Sequence, residues 1–395
     1  MNRIIYLDNS ATTRPYDEVT AHMAAVASNT YGNPSSMHTL GIEAERLVKA
    51  AREKTAGALG ADPREIYFTS GGTESNNMAV MGYLEGNPRK GKHIVTTAIE
   101  HPSVLELYRH LGQAGYKVDY IGVGRDGRLN TDELASKIGS ETALISIILV
   151  NNETGAIQPL EEIAAIRDAR NRGAALHVDA VQAFGKLRLH PARSGVQLMS
   201  VSSHKIHGPK GVGALYASRS IKLKPLIYGG GQEASLRSGT ENVPGISGFG
   251  LAAEMTMERL EPNREKVAAV RQTFTEALAG SGVAHGVISP EDSSPYILNI
   301  AFEGLKAEVL LHHLEERRIY VSTGSACSSR KNVRSHVLTA MGIGPGLIDG
   351  AIRFSFSAFN TQEDAIDTAE ALKEIVPRIR IKKGNTFGGS IGGSK

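Results

Sequence analysis

Cysteine is almost absent from this chain: Cys327 is the single cysteine among 395 residues. One cysteine excludes an internal disulfide framework and a thiolate-rich metal site. Tryptophan is absent, and the longest strongly apolar run, ALISIILV at 143–150, is too short to span a membrane. The net charge of +3 favours neither a nucleic-acid surface nor a membrane surface.

The first ten residues, MNRIIYLDNS, also lack features of a secreted protein. They contain neither the long apolar stretch nor the small-residue cleavage site of a signal peptide. Thiols stay reduced in the cytoplasm. We therefore expect a cytoplasmic protein with no membrane partner and no direct nucleic-acid partner.

The lone cysteine lies in STGSACSSRK at 322–331, among small and polar residues. A structural cysteine is usually surrounded by larger apolar side chains, where it acts as a small hydrophobe. Ser, Gly and Ala instead favour a mobile loop. These flanks leave a reactive thiol and a structural one equally open for Cys327.

The length predicts two domains. From about residue 65 to 206, short apolar runs alternate with helical stretches, a pattern typical of βα units on a mostly parallel sheet. After residue 260 shorter strands such as YILNIAF and IRFSFSAF indicate a second, smaller α+β domain. We predict a large domain at 15–260 and a small domain built from two segments, 1–14 and 261–380. Residues 381–395 are predicted to form a flexible Gly/Ser-rich tail.

Polar residues follow several of the predicted strands. TSGGTESNN places Gly72 and Thr73 between a strand and a helix, where backbone N–H groups and a hydroxyl would hold a phosphate. A glycine turn with Thr73 as N-cap explains the stretch equally well. Asp179 ends the apolar run ALHV, so its carboxylate needs a cation, such as a protonated pyridine nitrogen, or several donors. Capping of the next helix is the alternative.

Lys205 follows another apolar strand, and a lysine partly removed from water is a nucleophilic amine able to form a Schiff base. Lys210, in the turn GPKG, is the more solvated and weaker candidate. His204 and His207 lack a carboxylate or thiolate at ligand spacing, so no metal site is expected. His101 precedes a proline at a strand end, where it would stack on a flat ring, move a proton or be purely structural.

Taken together, these candidates form one chemical set. They comprise a phosphate seat, a carboxylate for a ring nitrogen, an amine for an aldehyde and an imidazole for proton transfer. This set describes a site for pyridoxal 5'-phosphate, which acts as an electron sink.

Nine stretches carry a resemblance to a known family: YLDNSATT, GNPSSMH, TSGGTESNN, EHPSV, VNNETG, HVDAVQ, SSHKIHGPKG, LRSGTEN and STGSACSS. In this order the chain resembles the group I cysteine desulfurases of class V of the aminotransferase superfamily, from residue 6 to about residue 360. The resemblance implies an α/β protein of fold type I of the pyridoxal-phosphate-dependent transferases. Such a protein has a large domain with a mostly parallel seven-stranded sheet and a small α+β C-terminal domain.

The resemblance also implies a role for each candidate. Lys205 would hold the cofactor covalently, Asp179 would pair with the pyridinium nitrogen, and Gln182 would bind the ring hydroxyl oxygen. His101 would stack over the ring and assist proton transfer. The phosphate would be held by Gly72, Thr73, Ser202 and His204 and, across the interface of an obligate homodimer, by the partner copy's equivalent of Thr240.

The implied substrate is L-cysteine, whose carboxylate Arg353 would clamp beside Asn152, a residue that also lies near the cofactor. The Cys327 thiolate would attack the substrate sulfur, so that L-alanine is released and a persulfide remains. Mobility from Gly324 and the serines would let the loop deliver sulfur to an acceptor protein for iron–sulfur cluster assembly or tRNA thiolation. The nearby Arg330 and Lys331 either favour the thiolate or end a solvated loop.

Two other functions remain open at this point. Selenocysteine lyases and aminotransferases use the same fold and cofactor, although an aminotransferase has no need of a loop thiol. A non-catalytic sulfur-relay partner that retains the enzyme fold is the alternative from a different class.

Overall fold

The computed structural model describes residues 3–323 and 334–380. Cys327 lies outside the described residues, as do Gly324, Arg330 and Lys331 around it. The predicted tail at 381–395 also lies outside them.

Strands and helices alternate through the first half of the chain. The described strands are β1 (Ile5–Tyr6), β2 (Ile66–Thr69), β3 (His93–Thr97), β4 (Lys117–Ile121), β5 (Thr142–Ile148), β6 (Ala175–Asp179), β7 (Leu198–Ser202), β8 (Gly213–Ala217), β9 (Gly286–Val287), β10 (Ile297–Ala301), β11 (Ile319–Tyr320) and β12 (Ala351–Ser355). The described α-helices are α1 (Asp17–Asn29), α2 (Thr39–Leu59), α3 (Gly72–Gly86), α4 (Pro102–Gln113), α5 (Thr131–Lys137), α6 (Leu160–Asn171), α7 (Val243–Glu258), α8 (Leu260–Gly280), α9 (Ala307–Glu316), α10 (His336–Ala340), α11 (Pro345–Asp349) and α12 (Gln362–Ile379).

A seven-stranded sheet in the order β2-β8-β7-β6-β5-β3-β4 forms the centre of the fold. The strands from β7 to β4 pair in parallel, whereas β8 is antiparallel to both of its neighbours. The predicted α/β class and the mostly parallel seven-stranded sheet are therefore confirmed. The alternating pattern did not predict strand β8, because this strand follows β7 without a crossover helix between them.

Both faces of this sheet are buried. Successive residues of one strand enter different apolar clusters, as Ile94 and Val95 do in β3 and Leu144 and Ile145 do in β5. Helices α3 and α4 cover one face with Tyr83, Tyr108 and their neighbours. This double covering explains why the strands read as continuous apolar runs.

The remaining strands join the two ends of the chain. β10 lies between β9 and β12 in an antiparallel sheet, and β1 pairs in parallel with β11. Asp8 continues this contact through a bridge to Ser355. The residues just after β1 are thereby placed beside the C-terminal strands. Among the described helices none is long and apolar enough to cross a membrane.

Gly213, the first residue of β8, lies against the turn between β2 and α3. A Cβ atom there would stand 2.7 Å from the Gly71 Cα and 2.7 Å from the Val201 carbonyl oxygen. Both neighbours are backbone atoms, so a side chain at this position forces the turn to move.

We therefore expect Gly213→Ala to lower the free energy of unfolding by about 1–3 kcal/mol through overpacking. Gly112→Ala is the matched control, because nothing lies within 4 Å of its Cβ position in helix α4, and alanine there stabilises a helix. Denaturant unfolding of both variants checks this. A loss of stability no larger for Gly213→Ala than for Gly112→Ala would contradict it.

Candidate active site

The predicted residues meet at one edge of the sheet. Asp179 is the last residue of β6 and Ser202 the last of β7, while His101 follows β3 and immediately precedes α4. Because parallel strands end at the same edge, these side chains share one crevice. Lys205 lies in a single 3-10 turn, Ser203–Lys205, directly after β7.

Lys205 is held by the N-terminal segment. Its Nζ atom donates to the Ala11 carbonyl oxygen at 2.7 Å and to the Ser10 carbonyl oxygen. Gln182 Nε2 donates to the same Ser10 oxygen at 2.9 Å, so Gln182 and Lys205 share one acceptor. Lys210, the weaker candidate, is exposed.

The Asp179 carboxylate is buried and accepts two hydrogen bonds. Asn76 Nδ2 donates to one oxygen at 2.8 Å, and the Val181 backbone N–H donates to the other at 3.0 Å. The alternative that Asp179 caps the next helix is wrong, because a turn and no described helix follows β6, and the second contact is a local one within that turn. Asn76 comes from α3, so the carboxylate is also oriented by a side chain distant in sequence.

Asn76 connects this carboxylate to His101 through Ser103. Its Nδ2 atom also donates to Ser103 Oγ at 2.9 Å, and Ser103 Oγ lies 2.8 Å from His101 Nδ1. The Ser103 backbone N–H donates to the same Nδ1 at 3.1 Å. Nδ1 is therefore the acceptor, and the ring proton of neutral His101 sits on Nε2. His101 also serves as the N-cap of α4, which is part of its structural alternative.

Burial lowers the pKa of His101, with the Asp179 carboxylate opposing that shift and the Lys205 ammonium adding to it. The preceding residue, Glu100, is buried too, and Thr97 Oγ1 and the Ile148 N–H both donate to its Oε1. Burial raises the pKa of Glu100 to about 8, and Asp179 contributes to the rise. At neutral pH the Glu100 carboxyl is mostly protonated, so it adds little negative charge beside Asp179.

A seat for an anion lies at the start of α3. Gly71 has a φ of 150° and Gly72 begins the helix, so backbone N–H groups point out of this N-terminus. A Cβ at Gly72 would lie 2.7 Å from a methyl carbon of Val181. Ser202 Oγ is buried here and has no hydrogen-bond partner among the described residues. The alternative role of Thr73 as N-cap is wrong, because Gly71 caps the helix and Thr73 is exposed within it.

His204 lies near this seat and contacts Thr12 Oγ1 through Nδ1 at 3.2 Å. Burial lowers its pKa to about 4, and the Lys205 ammonium adds to the shift, so the ring is neutral at pH 7. Within residues 3–323 and 334–380 no cluster of three His, Cys, Asp or Glu side chains is arranged to hold a metal ion.

Arg353, on β12, projects its guanidinium into the protein. Nη1 donates to the Asn152 carbonyl oxygen at 3.0 Å, and Nη2 donates to Asp8 Oδ1 at 2.8 Å. Its Nε atom is buried without a partner in the described part of the chain. Asn152 thus meets Arg353 through its backbone, and Asp8 fixes the plane of the guanidinium.

Thr240 is exposed and lies outside the crevice. It lines a cavity of about 170 Å³ beside the end of β2, together with Thr69, Ser70 and Arg237. The single chain therefore does not bring Thr240 together with Lys205 and Asp179.

Several residues of the crevice had no role in the sequence prediction, although most lie in the motifs DNSATT, TESNN and EHPS. The motifs indicated that these stretches matter but not which atoms meet. The additional residues are Asp8, Ser10, Ala11, Asn76, Glu100, Ser103 and Lys186.

The residues present fit pyridoxal phosphate. The unpartnered Ser202 hydroxyl beside a helix N-terminus suits a phosphate. A buried carboxylate suits a protonated ring nitrogen, and the Lys205 amine follows Ser202 by three residues, directly after β7. The fold is likewise that of fold type I pyridoxal-phosphate-dependent enzymes.

Comparison with known proteins agrees with this class. The family model for aminotransferase class V matches residues 5–367. The chain belongs to the class-V aminotransferase family, and within it to the cysteine desulfurases.

Individual relatives support the second part of that assignment. The chain is 42% identical to cysteine desulfurase IscS of Methanosarcina thermophila over 379 residues, which cover 96% of this chain and 93% of the relative. A solved NifS-like protein superposes with a TM-score of 0.90 at 39% identity, covering 95% of this chain and all of that one. SspA, solved in complex with cysteine, gives a TM-score of 0.80 at 34% identity over 90% of this chain and all of that one.

The raised pKa of Glu100 implies that the free energy of unfolding depends on pH. Between pH 4.5 and 8 the folded protein holds the Glu100 proton that the unfolded chain releases. Folding stability attributable to this residue therefore falls as pH rises through that window. Glu100→Gln removes the titratable group, so the free energy of unfolding of the variant, relative to the unsubstituted protein, should rise by about 1–3 kcal/mol from pH 5 to pH 8.5.

Urea unfolding of the two proteins across this pH range measures that difference. Glu106→Gln is the control, because Glu106 lies on the exposed side of α4 and its difference should stay flat. A flat difference for Glu100→Gln as well would show that the buried carboxyl is ionised throughout.

Proposed function

We propose that the chain is a homodimeric, pyridoxal-phosphate-dependent enzyme that removes sulfur from L-cysteine, releases L-alanine and carries the sulfur as a persulfide on Cys327. The observation that carries this proposal is the meeting of Lys205, Asp179 and the unpartnered Ser202 hydroxyl at one sheet edge. Membership of the cysteine desulfurases supports the choice of reaction.

Pyridoxal phosphate, when bound, supplies an electron sink for negative charge that develops at the substrate α-carbon. Lys205 would hold it covalently, and the Ser10 and Ala11 carbonyls aim its amine. Asp179 would accept a hydrogen bond from the protonated ring nitrogen, and Asn76 fixes the plane of that carboxylate. Gln182, whose amide donates to the Ser10 carbonyl beside Lys205, would bind the ring hydroxyl oxygen.

His101 would stack on the cofactor ring and move a proton at Nε2. Ser103 engages Nδ1, so that only Nε2 is available for exchange with the substrate. Because burial keeps the imidazole neutral, the ring accepts and returns a proton near neutral pH. The Lys205 amine, held at the same sheet edge by the Ser10 and Ala11 carbonyls, would be the second base of the site.

Arg353 orients the substrate carboxylate, with Asn152 beside it. A guanidinium carries five N–H donors. One Arg353 donor is directed to Asp8 and one to the Asn152 carbonyl. The remaining donors, including the buried Nε, suit a carboxylate. L-cysteine is the substrate that this site, the family and the thiol together favour.

The phosphate is bound by Ser202, His204 and the backbone at Gly72, with the Thr73 hydroxyl at the rim and Thr240 supplied by the partner subunit. Exposed apolar side chains support a dimer here. Tyr31 and Met37 in one stretch and Ile227 and Tyr228 in another are exposed. These two stretches flank residues that line one shared cavity of about 300 Å³. A second copy of the chain would cover them.

Sulfur then passes from Cys327 to an acceptor protein for iron–sulfur cluster assembly or tRNA thiolation, in the cytoplasm. The names of the relatives support sulfur transfer. The complex of the similar SspA with cysteine supports L-cysteine as the molecule that enters the site.

Removal of the thiol tests the persulfide directly. We expect Cys327→Ala to bind pyridoxal phosphate normally but to release sulfide and alanine from L-cysteine at least about 100-fold more slowly, because the nucleophile for sulfur is missing. Ser328→Ala, one residue away, is the matched control and should retain activity. Undiminished turnover by Cys327→Ala would refute the persulfide role and leave an aminotransferase or lyase.

Lys205→Ala tests the covalent attachment of the cofactor. We expect the visible absorbance of lysine-bound cofactor to disappear, and borohydride to fix no pyridoxyl group to the protein. Lys210→Ala, at the exposed lysine of the same β7–β8 connection, should behave like the unsubstituted protein. Borohydride labelling that persists in Lys205→Ala would assign the attachment to another lysine.

A further inference from the structure

The segment at 229–242, here called the Thr240 segment, is fastened to α2 and α3 by two ion pairs. One joins Glu233 to Arg52 of α2, and the other joins Arg237 to Glu74 in the first turn of α3. The same turn carries Gly72, where the phosphate seat begins. Two parts of the proposed site, one for this subunit and one for its partner, therefore share one support.

In the first pair Glu233 is buried and Arg52 is partly exposed, and two hydrogen bonds join the side chains. Arg52 Nη1 and Nη2 reach the two carboxylate oxygens of Glu233 at 2.8 and 2.7 Å. Glu233 also accepts the Phe68 backbone N–H at 2.8 Å, and the Arg52 guanidinium lies 4.8 Å from the centre of the Phe68 ring. The start of the Thr240 segment is thereby tied to β2.

Backbone strain shows how tightly this start is held. Glu233, Ala234 and Ser235 have φ values of 48°, 53° and 64°. Three consecutive non-glycine residues in the left-handed region are disfavoured, and such a conformation persists only where surrounding contacts impose it. The Arg52–Glu233 pair supplies such contacts.

The second pair reaches the phosphate turn itself. Arg237 Nε lies 2.9 Å from Glu74 Oε1, and the other oxygen of Glu74 accepts the Ser70 backbone N–H at 2.8 Å. The side chains are 27% and 18% exposed, so the pair is partly shielded from water. Arg237 stands three residues before Thr240, and Glu74 two residues after Gly72.

The negative charge of Glu74 makes the positively charged Arg237 important beside the phosphate seat. A carboxylate in the first turn of α3 is favoured by the helix dipole, but it repels a phosphate bound at the same N-terminus. The Arg237 guanidinium offsets that repulsion. A phosphate in the seat in turn favours the arrangement in which Arg237, and hence the Thr240 segment, is docked.

We propose that the Arg237–Glu74 pair couples cofactor phosphate binding to subunit association, with both residues acting as positioning residues. This inference rests on the proposed homodimer and cofactor. Because such coupling is reciprocal, phosphate binding strengthens the dimer by the same factor by which dimer formation strengthens phosphate binding.

Subunit exchange between unlabelled and ¹⁵N-labelled dimers, followed by native mass spectrometry, measures the coupling without using activity. Exchange is recorded for apo protein, for protein with pyridoxal 5'-phosphate and for protein with pyridoxal, which lacks the phosphate. We expect pyridoxal phosphate to slow exchange at least about 10-fold in the unsubstituted protein, and pyridoxal to slow it far less.

In Arg237→Gln and in Glu74→Gln the slowing by pyridoxal phosphate should shrink to about twofold or less, and Arg237→Lys should recover part of it. The double variant should behave like either single variant, because both remove the same interaction. Arg317→Gln, which removes the Glu374 pair elsewhere in the chain, is the matched control and should keep the full effect.

A slowing in Arg237→Gln equal to that in the unsubstituted protein would overturn the inference, even if the variant is less stable, because a purely structural pair changes apo and loaded dimers alike. No slowing in the unsubstituted protein would overturn it too. Failure of the proposed function is seen separately, as an unsubstituted protein that takes up no cofactor by absorbance or forms no dimer.

Discussion

The burial of one carboxylate determines how the crevice is built. Asp179 ends β6, the middle strand of the seven, where an unpaired charge is costly. Asn76 satisfies one of its oxygens and continues through Ser103 to His101. The neighbouring Glu100 keeps its proton, since burial and Asp179 both disfavour a second charge. One strand end thus sets the ionisation and the orientation of the groups around it, and in the proposed function a protonated ring nitrogen would complete its surroundings.

The sheet edge and its side chains could be predicted because they follow from local patterns. Apolar runs ending in Asp179, Ser202 and, one turn later, Lys205 predict side chains at strand ends, and parallel strands bring those ends together. The structure confirms that arrangement. Local patterns gave a wrong prediction where one stretch of sequence is compatible with two backbone conformations. Thr73 was a reasonable N-cap, but Gly71 at φ 150° starts the helix earlier.

Contacts between distant residues could not be predicted from such patterns. The Lys205 amine is aimed by Ala11, 194 residues away, and Arg353 is paired with Asp8, 345 residues away. Nothing in the spacing of either stretch specifies its partner, because the meeting depends on β1 joining β11 near the C-terminal strands. The position of Thr240 is a different case, since its proposed contact belongs to a second copy of the chain. The strand ends that form the crevice can thus be predicted from the sequence, whereas the hydrogen bonds between its distant residues cannot.

The reversed strand β8 has a consequence for the lysine. Ser202 at the end of β7 pairs with Gly213 at the start of β8, so Lys205 lies in a short hairpin rather than ahead of a crossover helix. His207, at φ 64°, and its hydrogen bonds to Thr13 and Arg14 hold that hairpin in shape. The backbone at Lys205 is therefore fixed, and only the side chain of this lysine is free to move. In the proposed reaction that restriction would keep the amine close to its starting position from substrate entry to product release.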